Sequence, residues 1–488
     1  MSASFLIPAI ILTPLVGAVL ILLTGRWPNL REAVTLTTAA CLFALVTQMI
    51  GPILDRETLS LTIAEPLPGL SISFDVEPLG LMFALLASML WFVTSIYAIG
   101  YMRGNREPHQ TGFYAFFAIA ISGAMGVAMA GNLLTLFIFY EVLTISTWPL
   151  VTHNRNAKAQ AGGRTYLGVL LFTSIGLLLP ALIWTWTAAG TLDFTPGGIL
   201  EGNIGTAAAG ILLGLFVLGV GKAAVMPMHR WLPAAMVAPT PVSALLHAVA
   251  VVKAGVFTIT KVVIYIFGID FLATVPLEQY LVYLAGFTVV AASVIALKQV
   301  EIKKMLAYST IGQLSYVTMA ALVLAPFSEI GAALHIVAHA FGKITLFFCA
   351  GAIYIAAKKT RIDELRGIGL RMPITMTAFT IGALSMIGVP PTAGFVSKWY
   401  IIAGAFQVES FFVLGVLMLS TGLNAAYFLP IVFRAFFTPE TEAPKINHGE
   451  APWPMVAALA TTALLVIAFF VFNGPVVDLE TRILEVPS

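Results

Sequence analysis

The chain has 488 residues, of which 59% are hydrophobic and only 10% are charged. Soluble globular chains are about 25% charged and about 45–50% apolar, so a chain of this length and composition is predicted to bury its surface in lipid. Its apolar runs reach about 20 residues, the length of a membrane-spanning helix, and lack the alternation of barrel strands. The sequence therefore predicts an all-α polytopic membrane protein, and its net charge of +2 gives no indication of nucleic-acid binding.

The apolar runs, taken in chain order between polar or Gly/Pro-rich breaks, predict about fourteen transmembrane helices. The first run has no basic segment before it and no small-residue cleavage site, so it is interpreted as an uncleaved helix. The predicted spans are about 4–24, 33–50, 78–101, 111–130, 132–151, 164–189, 204–227, 240–267, 279–297, 305–325, 329–357, 373–402, 410–433 and 453–473.

Basic and acidic residues alternate between the predicted loops. Loops after the odd-numbered spans hold nearly all of the loop lysines and arginines, whereas loops after the even-numbered spans hold Arg56 and many acidic residues. Because short Lys/Arg-rich loops stay in the cytoplasm, we expect both termini to lie outside. The expected location is the bacterial cytoplasmic (inner) membrane, as a multi-pass protein.

Six charged residues fall inside the predicted spans. A charge at the bilayer centre costs about 2.5–3.5 kcal/mol on insertion scales, and such residues usually mark an ion path or pair with one another. They are Glu141, Lys222, Lys253, Lys261, Lys343 and Lys398. Lys261 lies near a span end, so we expect its side chain to reach the interface by snorkelling.

Glu141 and Lys222 are predicted to form a functional pair. Glu141 is about ten residues from either end of its span, too deep to snorkel, and needs a cation or a proton. Lys222 precedes Pro227, which is predicted to break its helix. The GVGK around Lys222 is not a P-loop, because Phe216 stands where the motif needs glycine and Ala223 follows the lysine.

Two further helices carry titratable groups. His247 and Lys253 are six residues apart, about 120° around one helix. His335, His339 and Lys343 have the spacing i, i+4, i+8, which predicts a stripe about 12 Å long on one face. Zinc also binds histidines at i, i+4, but no carboxylate or cysteine joins this pair and the lysine would repel a metal, so a proton relay is favoured.

Lys398 follows Pro390 and Pro391, which predict a helix break at membrane depth, tolerated where the chain lines a cavity. Lys304 heads a span at the inner face, where it is either an interfacial anchor or the start of a path from the cytoplasm. No cofactor, metal or catalytic site is predicted, and Cys41 and Cys349 are interpreted as small buried apolar residues.

The Pro-interrupted helices occupy corresponding places in two halves, which is the sequence pointer to inverted repeats in transporters. Because each half has five spans, the halves are expected to have opposite topology. The predicted plan is helices 1–3 in residues 1–110, a first five-helix repeat in 111–267, a second in 279–433, and helix 14 with a tail in 434–488.

Several segments resemble one family, the antiporter-like subunits shared by Mrp-type cation/proton antiporters (the D-type subunit), respiratory complex I and energy-converting hydrogenases. The segments are KAAVMPMHRWLPAAMVAPTPVSALLHAVAVVKAGVF, AYSTIGQLSY, HIVAHAFGK and GVPPTAGFVSK. The resemblance covers nearly the whole chain and implies fourteen helices, two inverted repeats and proton translocation along a central polar axis.

The resemblance also implies roles for individual residues. The residues that match the proton path of the family are Glu141, Lys222, His247, His335, His339, Lys343 and Lys398. Some members carry Glu at the last position, and Lys253 is closer to the antiporter branch. Ala234 in WLPAAM departs from the usual Asp or Gly.

Three functions are therefore compared. The first is the proton-translocating subunit of a multi-subunit Na⁺/H⁺ antiporter, in which other membrane subunits, the bilayer, H⁺ and Na⁺ are the partners. The second is the proton-pumping membrane subunit of an NADH:quinone oxidoreductase or membrane-bound hydrogenase. The third is a structural subunit whose buried charges only pair with each other. The length of the chain is typical of a D-type or mid-sized member.

Overall fold

The computed structural model describes residues 3–439 and 449–482, and most of these residues are α-helical. The helices of the first half are α1 (Ala3–Leu23), α2 (Pro28–Thr47), α3 (Ile50–Leu54), α4 (Pro78–Gly104), α5 (Gln110–Ala128), α6 (Leu133–Val151), α7 (Ala157–Thr173), α8 (Leu179–Ala189), α9 (Thr206–Gly219), α10 (Trp231–Ala234), α11 (Thr240–Ala244) and α12 (Val251–Val262). Those of the second half are α13 (Ile269–Leu272), α14 (Glu278–Leu297), α15 (Ile302–Leu322), α16 (Pro326–Ala357), α17 (Ile368–Arg371), α18 (Pro373–Ile387), α19 (Ala393–Gln407), α20 (Phe411–Phe437), α21 (Trp453–Val471) and α22 (Gly474–Thr481).

Three short 3₁₀ turns and three π-helical turns interrupt this series. The 3₁₀ turns are Gly221–Ala223, Ala235–Val237 and Ile362–Leu365, and the π-helical turns are Ser174–Leu178, Leu245–Val249 and Val263–Phe267. Because π-helical turns within α-helices occur frequently at functional sites, the turn at Leu245–Val249, beside Lys253, is of particular interest.

The structure has ten helical segments that are long and apolar enough to cross a membrane, counted over the described residues. A multi-pass helical membrane protein is thus confirmed. The predicted number of fourteen transmembrane helices is not confirmed. Two further apolar helices, α9 and α18, are shorter than a full span. They are short because the chain unwinds after each of them.

The two unwound segments coincide with the proline-rich stretches of the sequence. α9 ends at Gly219, and Pro227 lies in the irregular segment that follows the 3₁₀ turn. α18 ends at Ile387, and Pro390 and Pro391 lie between it and α19. Proline lacks the N–H that would continue the helical hydrogen bonding, which accounts for the interruption after α18. After α9 the backbone already leaves helical values at Val220, and Pro227 prevents the helix from resuming at its own position.

A β-hairpin between α3 and α4 corrects the all-α expectation. Strand β1 (Ser60–Leu67) pairs antiparallel with β2 (Leu70–Asp75), with Ser60 opposite Asp75. Asn132, the N-cap of α6, donates a side-chain hydrogen bond to the carbonyl of Ser71 (2.7 Å). The hairpin is therefore attached to the bundle, and it was missed because it lies between apolar spans in a stretch interpreted as loop.

The centre of the bundle is α16, a helix of 32 residues. Its most apolar 18-residue stretch is entirely buried, and it packs against α15, α18, α19 and α21. Large apolar side chains on the outer helices are exposed instead, as Leu23 on α1 and Phe437 on α20 are. A helix surrounded on all sides by other helices can hold polar side chains away from lipid, and α16 carries the predicted His/Lys stripe.

The two cysteines have different surroundings, and one of them corrects the sequence interpretation. Cys349 is buried on α16, but Cys41 is exposed on the surface of α2. Apolar surroundings in the sequence do not distinguish a residue that faces the core from one that faces lipid, because both positions favour apolar side chains.

The predicted snorkelling of Lys261 is wrong. Its side chain is only 1% exposed, and its Nζ forms an ion pair with Glu77 Oε1 at 2.6 Å. The same nitrogen donates a hydrogen bond to the carbonyl of Ala130 (2.8 Å). Lys261 therefore ties the end of α12 to the residue that precedes α4.

Removing Lys261 is expected to destabilise the protein strongly. Lys261→Met leaves the Glu77 carboxylate without its partner, and breaking a buried pair in this way typically costs about 3–5 kcal/mol. The variant Lys261→Met/Glu77→Gln removes both charges and should recover much of this loss. Thermal unfolding in detergent measures the stability of both variants. Equal melting temperatures for the single and double variants would contradict the assigned ion pair.

Candidate functional site

Lys222 lies in the 3₁₀ turn after α9, and it is fully buried. Its Nζ donates hydrogen bonds to the carbonyl of Tyr140 (2.7 Å) and the hydroxyl of Thr144 (2.6 Å), both on α6. The Nζ also lies 3.0 Å from the centroid of the Tyr140 ring, a cation–π arrangement. The ammonium group is thus held entirely by neutral groups.

Glu141 does not make the predicted direct contact with Lys222. Among the ion pairs of the described residues, none joins these two side chains, although they interact electrostatically at longer range. Tyr140 and Thr144 are four residues apart and share one face of α6, whereas Glu141 is rotated by about 100° from Tyr140. Glu141 is partly exposed, and its Oε1 is buried without a hydrogen-bond partner.

Lys253 and His339 connect the two halves of the chain. Lys253 Nζ lies 2.7 Å from His339 Nδ1, and both side chains are fully buried. Helix α12 packs closely on the turn of Lys222, because a Cβ at Gly255 would lie only 2.3 Å from the backbone nitrogen of Ala223. This close packing brings the Lys222 and Lys253 regions together.

His247 belongs to the π-helical turn Leu245–Val249 at the start of the same segment. Its backbone position is described, but its side chain lies outside the described part of the structure. Its predicted role in the proton path stays a prediction.

His335 is held by two polar side chains on neighbouring helices. Its Nδ1 is 2.9 Å from Ser397 Oγ on α19, and its Nε2 is 3.1 Å from Gln313 Oε1 on α15. The rings of His335 and His339 are nearly parallel, with centroids 6.3 Å apart. The stripe predicted along α16 therefore lies in the buried interior and is continued by residues of α15 and α19.

Lys343 begins a connected series of hydrogen-bonding groups. Its Nζ donates to Ser309 Oγ on α15 (2.8 Å), and the hydroxyl of Tyr427 on α20 lies 2.9 Å from the same oxygen. The Tyr427 hydroxyl also contacts the side-chain oxygen of Asn424. The Asn424 side chain in turn donates to the carbonyl of Met386 (3.2 Å).

Lys398 closes this series at the break between α18 and α19. Its Nζ donates to the carbonyls of Met386 (3.1 Å) and Ile387 (2.8 Å), which the interruption of α18 leaves free of intrahelical partners. Only 5% of Lys398 is exposed. The broken helix thus supplies the acceptors for this buried lysine.

Lys304 lies at the surface and outside this series. Its side chain is 41% exposed and pairs with Glu301 at 3.1 Å, an arrangement typical of an interfacial anchor. Its neighbour Lys303 is more enclosed and donates to the carbonyl of Ala238 (2.6 Å). Lys303 lines a polar cavity at this end of the bundle, together with Glu107 and Lys158.

Sequence reasoning missed the neutral residues that join the charged ones. They are Tyr140, Thr144, Ser309, Gln313, Ser397, Asn424 and Tyr427. A signal for two of them was available, since Ser309 and Gln313 are four residues apart in AYSTIGQLSY and therefore share one helix face. Hydroxyl and amide residues are common in membrane helices, so their type alone does not mark them.

The electrostatic character of the site follows from the groups that form hydrogen bonds with its buried lysines. Lys222, Lys253 and Lys343 are fully buried, and their hydrogen-bond partners in the described structure are a carbonyl, hydroxyls and an imidazole nitrogen. Lys253 and Lys343 are close enough to repel one another when charged. Glu141 acts on Lys222 only at longer range, and no carboxylate of the described residues pairs directly with these lysines as Glu77 pairs with Lys261. Protonation of one lysine therefore changes the energy of protonating the next.

The described residues contain no cluster of three or more His, Cys, Asp or Glu side chains that could hold a metal ion. The histidines of α16 are joined to Lys253, Ser397 and Gln313 instead. The arrangement suits the transfer of protons between nitrogen and oxygen atoms.

Comparison with known proteins identifies the family. Residues 130–424 match the family model described as "NADH:quinone oxidoreductase/Mrp antiporter, TM". A curated relative, NADH-quinone oxidoreductase subunit N of Desulforudis audaxviator, is 28% identical over 430 residues, which cover 84% of each chain.

Two solved structures share the fold. One is from the Mrp complex of Dietzia sp., with a TM-score of 0.85 at 18% identity, covering 98% of this chain and 97% of that one. The other is from the membrane-bound sulfane sulfur reductase, an archaeal respiratory membrane complex, with a TM-score of 0.86 at 23% identity and the same coverage. The family match spans more than half of the chain and confirms the resemblance carried by the sequence motifs. The chain belongs to the family of antiporter-like membrane subunits that the NADH:quinone oxidoreductases and Mrp antiporters share.

Proposed function

We propose that this protein is the proton-translocating subunit of a multi-subunit monovalent cation (Na⁺)/H⁺ antiporter. The observation that carries the proposal is the series of buried side chains that runs from Lys222 through Lys253 and His339 to Lys343 and Lys398. The series spans both halves of the chain. A membrane protein that places several lysines in its interior with neutral partners has the groups that a proton relay requires.

The proposed path begins at the face of the bundle with the basic loops. A proton is taken up near Lys222 or His247 and passes by way of Lys253 to the stripe on α16. From Lys343 it moves through the hydroxyls of Ser309 and Tyr427 towards Lys398. The two histidines can accept a proton on one ring nitrogen while releasing one from the other, which suits an intermediate position.

Transport against a membrane potential needs energy at one of these steps. Moving a unit charge through 100 mV requires about 2.3 kcal/mol. Repulsion between neighbouring buried lysines is of a suitable size, because charges in the protein interior interact far more strongly than in water. In the proposed antiporter, a cation moving in the opposite direction supplies or consumes this energy. The loop charges support an orientation with both termini outside, and the match to a bacterial NADH-quinone oxidoreductase subunit supports a location in the bacterial inner membrane.

A structural role for the buried charges has less support. In that hypothesis the charges would pair with one another, as Lys261 and Glu77 do. The hydrogen-bond partners of Lys222, Lys343 and Lys398 are carbonyls and hydroxyls. Neutral acceptors satisfy a lysine without fixing its charge state.

The second candidate is a proton-pumping module of a redox complex. It is favoured by the match to a subunit N of an NADH-quinone oxidoreductase and by the fold shared with a respiratory sulfur reductase complex. In this case the protein would use the same relay, and electron transfer in partner subunits would drive it. Both candidates require a hetero-oligomeric complex.

The test is proton transport by the native complex in everted membrane vesicles, followed with a pH-sensitive dye. Lys253→Met should lower the rate by about a hundredfold, because proton transfer by a positioned group typically contributes about 10²–10⁴-fold. Lys298→Met is the matched control, since Lys298 is an exposed residue at the end of α14. Assembly of each variant complex is verified by copurification of its partner subunits.

The driving reaction separates the two candidates. Proton movement started by a Na⁺ gradient supports the antiporter, and movement started only by an electron donor supports the redox module. Full transport by an assembled Lys253→Met complex would show that the proposed relay is wrong in either case.

A further inference from the structure

Two buried carboxylates at one end of the bundle take no part in the relay described above. Glu329 is 3% exposed and Glu480 is 1% exposed. Among the described residues, none of their four carboxylate oxygens has a hydrogen-bond partner. Both side chains line one small cavity, whose other walls include Leu79, Thr260 and Ile264.

The cavity lies at what we call the acidic face, the end of the bundle where α4 and α16 begin and α12 ends. Glu329 is in the first turn of α16, and Glu480 is near the end of α22, which packs against α4 and α16. The basic loop that contains Arg361 follows the opposite end of α16. The two carboxylates come together only because α22 returns to the bundle after the last long helix.

The surroundings do not neutralise two negative charges. The other charged groups that act on them in the described structure are acidic, Asp270 on Glu329 and Glu77 on Glu480. Lys261 is already paired with Glu77, and Tyr265 contributes only a neutral hydroxyl. Like charges at close range disfavour ionisation of both groups. Binding a proton relieves this repulsion. The cavity has a volume of about 10 Å³, which leaves room for about one water molecule.

The cavity also lies on the same helix as one member of the relay. Thr260, one of its lining residues, is seven residues after Lys253 on α12. Two helical turns separate residues on the same face by about 10.5 Å along the axis. The cavity thus lies about two turns from the contact between Lys253 and His339.

We propose that Glu329 and Glu480 form a paired-carboxylate site that holds one exchangeable proton and releases it at the acidic face. A proton whose N–H bond breaks at the Lys253–His339 contact would be carried across the intervening distance of about 10 Å by water molecules, form an O–H bond on one carboxylate and then pass to the water outside. The exit function rests on the proposed proton transport. The bound proton itself does not, so the two can be tested separately.

The bound proton is tested by infrared difference spectroscopy of the purified complex between two pH values. The carbonyl stretch of a protonated carboxyl group is expected in the wild type and is expected to be lost in Glu329→Gln and in Glu480→Gln. Glu201→Gln, at an exposed acidic residue in the turn before α9, should keep it. Glutamine has the shape of a protonated glutamate, so the variants are expected to assemble. The proposal is wrong if both variants retain the band, or if Na⁺ at constant pH removes it, which would identify a cation site.

The exit function is tested in the same vesicles as the relay. Glu329→Gln and Glu480→Gln should each slow proton transport by about a hundredfold, while Glu201→Gln transports normally. Wild-type rates in both glutamine variants would overturn the exit and leave the proposed function intact. A wild-type complex that moves no protons under either driving force would overturn the proposed function, and the infrared band would still report on the site.

Discussion

Replacing Lys343 with methionine should abolish proton transport, with a loss of about a hundredfold or more. Lys343 Nζ is the group that joins the α16 stripe to Ser309 and, through it, to Tyr427. Methionine fills a similar volume but neither accepts nor releases a proton. The series towards Lys398 would therefore be interrupted at its first member.

Lys343→Arg distinguishes a mobile proton from a fixed charge. Arginine keeps the positive charge, but its side chain does not lose its proton in proteins. If Lys343 acts only through its charge, the arginine variant should transport protons. If Lys343 passes the proton itself, as proposed, arginine should be as inactive as methionine.

Thr345→Val is the matched control for both variants. Thr345 is fully buried on α16 two residues from Lys343, and its hydroxyl bonds to the carbonyl of Phe341 and to Thr462, away from the relay. Its replacement should cost about 1 kcal/mol of stability and leave the transport rate close to normal. Vesicle transport with verified assembly measures all three variants; normal rates in Lys343→Met would exclude Lys343 from the path.

Gly394→Ala should disrupt the broken helix around Lys398. A Cβ at this position would lie 1.8 Å from the carbonyl oxygen of Ser385 on α18. This oxygen belongs to the backbone, so the clash can be relieved only by moving α19 away from α18. Overpacking costs about 1–3 kcal/mol, and sometimes more.

The displacement of α19 should also affect function. Lys398 is four residues after Gly394, and its Nζ is held by carbonyls at the end of α18. Moving the two helices apart lengthens these hydrogen bonds and those of Ser397 with His335. We therefore expect the variant to melt at a lower temperature and to lose most of its proton transport.

Gly415→Ala is the matched control for Gly394→Ala. Gly415 lies inside α20, and no atom lies within 4 Å of the position of its added Cβ. Alanine is favoured over glycine in a helix by about 1 kcal/mol, so this variant should be as stable as the wild type or more so. Equal stability of the two alanine variants would contradict the close approach of α18 and α19.

Much of the architecture could be predicted from residue order alone. The length of the apolar runs predicted a multi-pass helical protein, and the lysines and histidines within those runs were identified because charged residues stand out in apolar sequence. The proline-rich stretches around Pro227 and Pro390 indicated where helices are interrupted. The motifs around Lys222, His335 and Lys398 predicted the family that the comparisons confirmed.

Only the tertiary structure decided which groups meet. Lys222 contacts Tyr140 and Thr144 and not Glu141, Lys253 meets His339, and Lys261 is buried against Glu77. The physical reason is that hydropathy and spacing report what lies along one helix. The rotation of each helix about its axis, the unwinding at the breaks and the return of α22 towards α16 are set by packing between distant segments. Those rotations place neutral oxygens beside Lys222, Lys343 and Lys398, and they bring Lys253 against His339 of the other half of the chain.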